Sequence, residues 1–127
     1  MKQLNDCVLV VEDEFLIADC FVYEIEAMGK TVCGVADTAQ QAIALAQEHR
    51  PSLILMDVRL KGEADGVDAS LVIHSSVGSK VIFITGSREP TNLERIATDH
   101  AAAVLFKPLA ANELRLTVET IMHATEL

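Results

Sequence analysis

The sequence predicts one doubly wound α/β domain spanning residues 1–127, with a five-stranded parallel sheet and helices on both faces. Its 127 residues are the size of a single compact domain. Half of them are hydrophobic, but only one Tyr, four Phe and no Trp occur, so the core must be aliphatic. Short apolar runs alternate with amphipathic stretches along the whole chain. That alternation is typical of parallel strands joined by right-handed helical crossovers.

The five predicted strands are short, rich in Val, Ile and Leu, and mostly lack alternation between apolar and polar residues. Strands that are buried on both faces of a parallel sheet have this character. The predicted strands cover residues 7–11, 31–36, 53–56, 80–85 and 103–106.

The five predicted helices are recognised by apolar residues at spacings of three and four. The first spans residues 15–28, is followed by Gly29 as a stop signal, and carries a face of Phe15, Ala18, Val22, Ile25 and Met28. The second begins at Thr38, where Gln41 completes a capping-box pattern, and ends before Pro51.

The remaining helices follow the same pattern. The third spans residues 65–77, and its predicted apolar side consists of Val67, Leu71 and Ile73. The fourth begins near Thr91, where Glu94 suggests another capping box. The fifth spans residues 110–124, with an apolar side of Leu114, Val118, Ile121 and Met122.

Composition narrows the possible functions. The net charge is −9, and the basic residues are scattered, whereas nucleic-acid-binding domains carry a basic stripe. Cys7, Cys20 and Cys33 form no CxxC pair, and we interpret them as reduced core thiols. Residues 1–6 lack a signal-peptide pattern, and no apolar run approaches the roughly 20 residues of a membrane helix. We therefore expect a cytoplasmic protein that contacts neither nucleic acid nor membrane.

Polar residues gather where the predicted strands end. They are Glu12 and Asp13 after the first strand, Asp57 after the third, Thr85 and Gly86 at the fourth, and Lys107 and Pro108 after the fifth. The carboxyl edge of the sheet is where doubly wound proteins place their sites. In the strand order 2-1-3-4-5, taken here by analogy with other doubly wound proteins, the first and third strands are neighbours. That order would bring the three carboxylates of Glu12, Asp13 and Asp57 together.

The chemistry of this group points to a metal-assisted phosphoryl site. Three carboxylates in a small cleft repel one another unless a cation lies among them, and oxygen ligands suit Mg²⁺. Asp57 is the natural nucleophile because it stands alone at its strand end. Lys107 and the Thr85 hydroxyl suit phosphoryl oxygens, and Gly86 would let the backbone approach closely. Each residue alone has an ordinary explanation as a cap or a turn; their joint placement favours the site.

Four stretches resemble response-regulator receiver domains: VLVVEDE (8–14), LILMDVRL (53–60), VIFITG (81–86) and LFKP (105–108). The resemblance covers essentially the whole chain and implies a flavodoxin-like fold of strand order 2-1-3-4-5. It implies that Asp57 accepts a phosphoryl group from a sensor histidine kinase or phosphotransfer protein, and that Thr85 and Lys107 contact that group. It further implies that Glu12, Asp13, Asp57 and the Arg59 main-chain carbonyl bind Mg²⁺. We expect a stand-alone module that signals through a protein partner.

Two departures from the receiver pattern concern signal output. Many receivers carry Tyr or Phe three residues before the lysine, but this chain has Val104 there, and Phe106 directly precedes the lysine. The loop after Asp57 has Lys61 where many receivers have Pro, and it looks like a known receiver subtype. We expect output through the fourth helix, fifth strand and fifth helix. Because Val104 stands in place of an aromatic ring, we expect the fourth helix and its preceding loop (87–90) to move instead.

Two other functions fit the predicted fold less well. An aspartyl-nucleophile phosphohydrolase would need an acid/base two residues after the nucleophile, where this chain has Arg59. A flavodoxin-like cofactor binder would need a phosphate loop after the first strand, where residues 11–14 (VEDE) would repel a phosphate. We therefore expect no enzyme beyond Mg²⁺-dependent phosphorylation and dephosphorylation of the protein's own aspartate.

Overall fold

The computed structural model describes residues 3–86 and 88–126, with side chains up to residue 123. Ser87, part of the loop that we expect to move, lies outside these ranges, as do Met1, Lys2 and Leu127. The five strands form one parallel sheet in the order β2-β1-β3-β4-β5, which confirms the predicted fold. The strands are β1 (Asn5–Val11), β2 (Val32–Ala36), β3 (Pro51–Met56), β4 (Lys80–Thr85) and β5 (Ala101–Phe106).

One helix follows each strand, and the helices cover both faces of the sheet. They are α1 (Phe15–Ala27), α2 (Ala39–His49), α3 (Gly66–Ser76), α4 (Pro90–Thr98) and α5 (Ala111–Glu126). Alternate residues of the central strands pack into two aliphatic cores. Leu9, Ile54 and Phe83 lie in the core under α2, α3 and α4. The neighbouring residues Val8, Leu53 and Ile82 lie in the core under α1 and α5.

Three strands begin earlier than their apolar runs. β1 begins at Asn5, which pairs with Pro51 of β3, and β5 begins at Ala101, which pairs with Val81. Pairing between backbones, and not side-chain hydrophobicity, defines where a strand starts, so polar or small residues are included at these ends.

Two predicted buried positions on helices are wrong. The side chains of Phe15 in α1 and Leu71 in α3 are 75% and 50% exposed. The buried face of α1 contains the predicted Ala18 and Ile25, with Phe21 in place of Phe15. Spacings of three and four fit several overlapping stripes on an apolar helix, and the angle at which the helix crosses the sheet selects one of them.

The helix starts differ from expectation at α4. Thr38 accepts a hydrogen bond from the Gln41 N–H at 3.0 Å, so the predicted start of α2 is confirmed. The capping box expected at Thr91 is wrong, because α4 begins at Pro90, which needs no partner for an N–H. A capping box does occur at α3, where Asp65 and Asp68 exchange side-chain and backbone hydrogen bonds.

The cysteines and the helices bear on two further expectations. All three thiols are free; Cys7 is buried and Cys33 is half-buried, but Cys20 is exposed on α1, so its assignment to the core is wrong. Within residues 3–86 and 88–126, no helix combines the length and the apolar character needed to span a bilayer.

Candidate functional site

The carboxyl edge of the sheet brings the predicted site residues together. Glu12 directly follows β1, Asp57 follows β3, Thr85 ends β4 and Lys107 follows β5. Main-chain hydrogen bonds fix this edge: the Asp57 N–H donates to the Val11 carbonyl at 2.9 Å, and the Lys107 N–H donates to the Thr85 carbonyl at 2.9 Å. The neighbouring strands therefore hold these four side chains at one end of the sheet.

Three carboxylates form a compact oxygen cluster at this edge. Glu12, Asp13 and Asp57 each offer a carboxylate oxygen within 4.8 Å of the others. Glu12 and Asp57 are buried, with 2% and 6% of their surface exposed, whereas Asp13 is half-buried. Hard oxygen donors with one side open to solvent suit Mg²⁺, which keeps several water ligands. The donor set therefore fits the predicted metal.

Lys107 reaches into the carboxylate cluster from the end of β5. Its Nζ lies 2.6 Å from Oε1 of Glu12 and 3.0 Å from Oδ2 of Asp57. The ammonium group thus supplies part of the positive charge that three neighbouring carboxylates require. The sequence predicted Lys107 for the site as a phosphoryl contact, but gave no indication of its pairing with Glu12.

Burial and pairing shift the pKa values of this cluster. Burial raises the pKa of Glu12 to about 7, although hydrogen bonds from the Lys107 ammonium and the Glu14 N–H favour the ionised form. Burial alone lowers the pKa of Lys107, but its hydrogen bonds to Glu12 and Asp57 outweigh that effect and leave it raised. Lys107 is therefore charged at neutral pH, and Glu12 keeps a proton to a higher pH than an ordinary glutamate does.

An open cavity of about 490 Å³ leads to Asp57. Its polar lining contains residues from four loops: Asp13, Glu14, Asp57, Arg59, Thr85, Gly86, Arg88, Glu89 and Lys107. Thr85 is buried, with 1% of its surface exposed, and it lies in register with Phe106. A Cβ on Gly86 would meet no described atom within 4 Å, so packing within the protein does not require glycine there.

Two residues that support the site went unnoticed in the sequence. A Cβ on Gly66 would overlap the main-chain carbonyl oxygen of Asp57, so α3 starts against the backbone of Asp57. The Gly66 N–H also donates to the Val58 carbonyl at 2.7 Å. Arg95 of α4 holds the adjacent Asp65 through two hydrogen bonds of 2.6 and 3.1 Å. The signal that could have identified Gly66 was its place directly after Asp65 at a predicted helix start. No local pattern indicated Arg95.

The structure shows what surrounds Val104, which stands where many receivers carry Tyr or Phe. Val104 packs against the core under α4, and Phe106 is half-buried on the same side of β5. The guanidinium Cζ of Arg88 lies 4.0 Å from the centroid of the Phe106 ring. The ring of Phe106, the last residue of β5, is therefore only half-buried, and a cation from the loop before α4 lies over it.

Comparisons with known proteins agree with this geometry. A family model described as "Response regulator receiver domain" matches residues 8–119. The transcriptional regulatory protein PdtaR of Mycobacterium tuberculosis is 32% identical over 88% of this chain and 54% of its own length. The phyllosphere-induced regulator PhyR of Methylorubrum extorquens is 40% identical over 65% of this chain and 31% of its own length. The chain thus spans about half or less of these relatives.

A solved structure supports the same relationship. A CheY-like response regulator receiver domain protein from Methanospirillum hungatei superposes with a TM-score of 0.88 at 25% identity. The match covers 98% of both chains. The similarity therefore extends over the sheet, all five helices and the loops that carry the carboxylate cluster.

Proposed function

The chain belongs to the response regulator receiver domain family of two-component signalling, and from this we propose that Asp57 is its phosphoryl acceptor. The observation that carries the proposal is the position of Asp57. Its carboxylate lies at the end of a central strand, beside the Lys107 ammonium and at the base of an open polar cavity. We take the donor to be a sensor histidine kinase or a phosphotransfer protein, as the family implies.

In the proposed reaction a carboxylate oxygen of Asp57 attacks the phosphorus of a phosphohistidine. The new O–P bond forms as the P–N bond breaks, and the electron pair of that bond stays on the imidazole nitrogen. Lys107, which already contacts Oδ2 of Asp57, would pair with a phosphoryl oxygen, and the Thr85 hydroxyl would bond another. The same residues would hold the group during hydrolysis of the aspartyl phosphate.

Mg²⁺ is the cofactor that the carboxylate cluster fits. Glu12, Asp13 and Asp57 would hold it together with the main-chain carbonyl of Arg59, which follows Asp57 by two residues. When bound, the ion would neutralise charge between the carboxylate and the transferred group. Ionised Glu12 is required for this role, so its raised pKa makes binding sensitive to pH.

We propose that the protein catalyses only the phosphorylation and dephosphorylation of its own Asp57, and does not hydrolyse other phosphate esters. A phosphohydrolase would need an acid/base two residues beyond the nucleophile; that residue is Arg59, whose side chain lies 3.3 Å from Glu89. Val58, which lies between Asp57 and Arg59 in the sequence, is buried in the core. The cavity beside Asp57 therefore has no carboxylic acid at the position that the hydrolase mechanism uses.

Intact-mass measurement after incubation with acetyl phosphate and Mg²⁺ tests the acceptor. The wild type should gain one phosphoryl group, and Asp57→Asn should gain none. Asp19→Asn, the same change at an exposed position of α1, should behave as wild type. A phosphoryl gain by Asp57→Asn equal to that of wild type would assign the acceptor to another residue.

The output surface is proposed to be the face of α4, β5 and α5, through which a protein partner would read the phosphorylated state. Thr85 and Phe106 are in register at the ends of β4 and β5, so a change at the phosphoryl site is next to this face. Amide resonances should shift in α4 and its preceding loop when beryllofluoride and Mg²⁺ are added. Shifts confined to the residues around Asp57 would contradict this assignment.

We also propose a cytoplasmic location and no direct contact with nucleic acid. The free thiols of Cys7, Cys20 and Cys33 suit a reducing compartment. The net charge of −9 opposes association with phosphate backbones. Cell fractionation would test the location, and a binding assay with duplex DNA at low salt would test the second statement.

A further inference from the structure

The loop between β4 and α4 connects two concave regions of the molecule. Arg88 of this loop lines the cavity that leads to Asp57. The ring of Phe106, which Arg88 covers, lines a separate groove between α4 and β5 together with Leu93, Ile96 and Val104. The Arg88–Phe106 pair therefore stands where the two regions meet.

Of the two partners, Arg88 is the one placed to move. Phe106 is a strand residue whose backbone pairs with Thr85, and its ring is half-buried against the α4 side of the sheet. Arg88 is exposed and lies in the loop that precedes α4. A long, exposed arginine side chain can change rotamer without disturbing the sheet. The Phe106 ring is half-buried in the groove between α4 and β5 and is the less free of the two.

The other cations of the cavity already lie against carboxylates. Lys107 contacts Glu12 and Asp57, and Arg59 lies 3.3 Å from Glu89. Arg88 instead contacts the face of an aromatic ring, and at an exposed site such a contact is weaker than a charge-assisted hydrogen bond to a phosphoryl group. Phosphorylation would replace the single negative charge of the Asp57 carboxylate with a phosphoryl group that carries about two, in the cavity that Arg88 lines.

We propose that Arg88 is a phosphoryl-binding residue that exchanges the Phe106 ring for the phosphoryl group when Asp57 is phosphorylated. The inference rests on the proposed function. The exchange of Arg88 would couple the phosphoryl site to the α4–β5 groove. This coupling does not need an aromatic residue at position 104, where the chain has Val104. Phosphorylation uncovers the Phe106 ring, and dephosphorylation lets Arg88 cover it again.

Beryllofluoride binding in the presence of Mg²⁺ tests the exchange without enzymatic turnover. Arg88→Gln should weaken the affinity about tenfold, as expected for a lost hydrogen bond to a charged group. Arg88→Lys should recover part of it. Arg115→Gln, the same change on α5 far from the cavity, should match wild type. Phe106→Leu should bind about two- to fivefold more tightly, because Arg88 no longer leaves a ring in order to bind.

The ring itself supplies a second measurement. With ¹³C-labelled phenylalanine, the Phe106 ring resonances of wild type should shift on beryllofluoride addition toward their positions in unliganded Arg88→Gln. Equal affinities for Arg88→Gln and Arg115→Gln would overturn the inference and leave the proposed function standing. Unchanged ring resonances in wild type would overturn the exchange. If wild type bound no beryllofluoride, the proposed function and the inference would both fail.

Discussion

The ammonium nitrogen of Lys107 lies 2.6 Å from Oε1 of Glu12, a carboxylate whose side chain is fully excluded from solvent. The pair spans 95 positions of the sequence and ties the end of β5 to the end of β1. Because Lys107 also contacts Asp57, the cleft is partly neutralised before any metal binds.

Lys107→Met should destabilise the protein, and more so at pH 8 than at pH 6. Burial raises the pKa of Glu12 to about 7, so the folded state binds this proton more tightly than the unfolded state. The contribution of Glu12 to stability is therefore present at low pH and lost as the pH rises from about 4.5 to 7. At pH 8 the variant leaves a buried carboxylate without its cation, at a cost of about 2–3 kcal/mol.

Urea unfolding of wild type and variant at both pH values, in EDTA, measures this difference. Lys80→Met, which removes an exposed lysine at the start of β4, is the control and should change little at either pH. An equal loss at pH 6 and pH 8 would mean that Glu12 is not the partner that matters.

Mg²⁺ should stabilise wild type much more than Asp57→Asn. Without metal, Asp57→Asn removes one of three close negative charges at constant shape, so we expect it to be the more stable protein in EDTA. If the affinity is millimolar, a few millimolar Mg²⁺ adds about 1 kcal/mol to wild type by mass action. For a domain of this size, that is about 3–5 °C in melting temperature.

Thermal melts of both proteins in EDTA and in Mg²⁺ provide the measurement. Asp57→Asn, which lacks one ligand, should gain much less from Mg²⁺. Equal shifts in the two proteins, or a less stable variant in EDTA, would contradict the shared carboxylate site.

Gly66→Ala should lower both stability and the rate of phosphorylation. The new Cβ would overlap the carbonyl oxygen of Asp57, so the backbone at Asp57, the proposed phosphoryl acceptor, must shift. Overpacking of this kind costs about 1–3 kcal/mol. Gly86→Ala is the matched control, since its Cβ would meet no described atom within 4 Å, and its stability should equal that of wild type. Similar stability for the two variants in chemical unfolding would show that the close approach is not required.

Arg95→Gln should lower the free energy of unfolding by about 0.5–1 kcal/mol at pH 7, the range for partly exposed ion pairs. Burial alone raises the pKa of Asp65, but hydrogen bonds from Arg95 and the Asp68 N–H outweigh it and lower the pKa. Because folding lowers the pKa of Asp65, its ionised carboxylate stabilises the folded state at pH values above 3.8. This stabilisation is lost as the pH falls through the pKa that Asp65 has in the folded protein. The difference between variant and wild type should therefore shrink below about pH 4.

Arg115→Gln provides the comparison for Arg95, because Arg115 makes one 3.3 Å contact with Glu24 on another pair of helices. Its effect at pH 7 should be smaller than that of Arg95→Gln. If the stability lost in Arg95→Gln did not change with pH, the bidentate pair with Asp65 would not be its cause.

The sequence by itself determined the alternation of strands and helices and the place of each site residue at a strand end. Buried strands are local apolar runs, and parallel strands must all end at one edge, so Glu12, Asp57, Thr85 and Lys107 were bound to meet once the strand order was known. Local pattern was enough because every one of these residues is positioned by the element that immediately precedes it.

Only the tertiary structure decided which surfaces meet. The burial of Phe21 in place of Phe15 depends on how α1 crosses the sheet. Three side-chain contacts join residues that are distant in sequence or lie on different elements. They are the ion pair of Lys107 with Glu12, the hydrogen bonds of Arg95 to Asp65, and the contact of Arg88 with the Phe106 ring. Such contacts depend on side-chain direction after the backbone has packed, and no local periodicity encodes that direction.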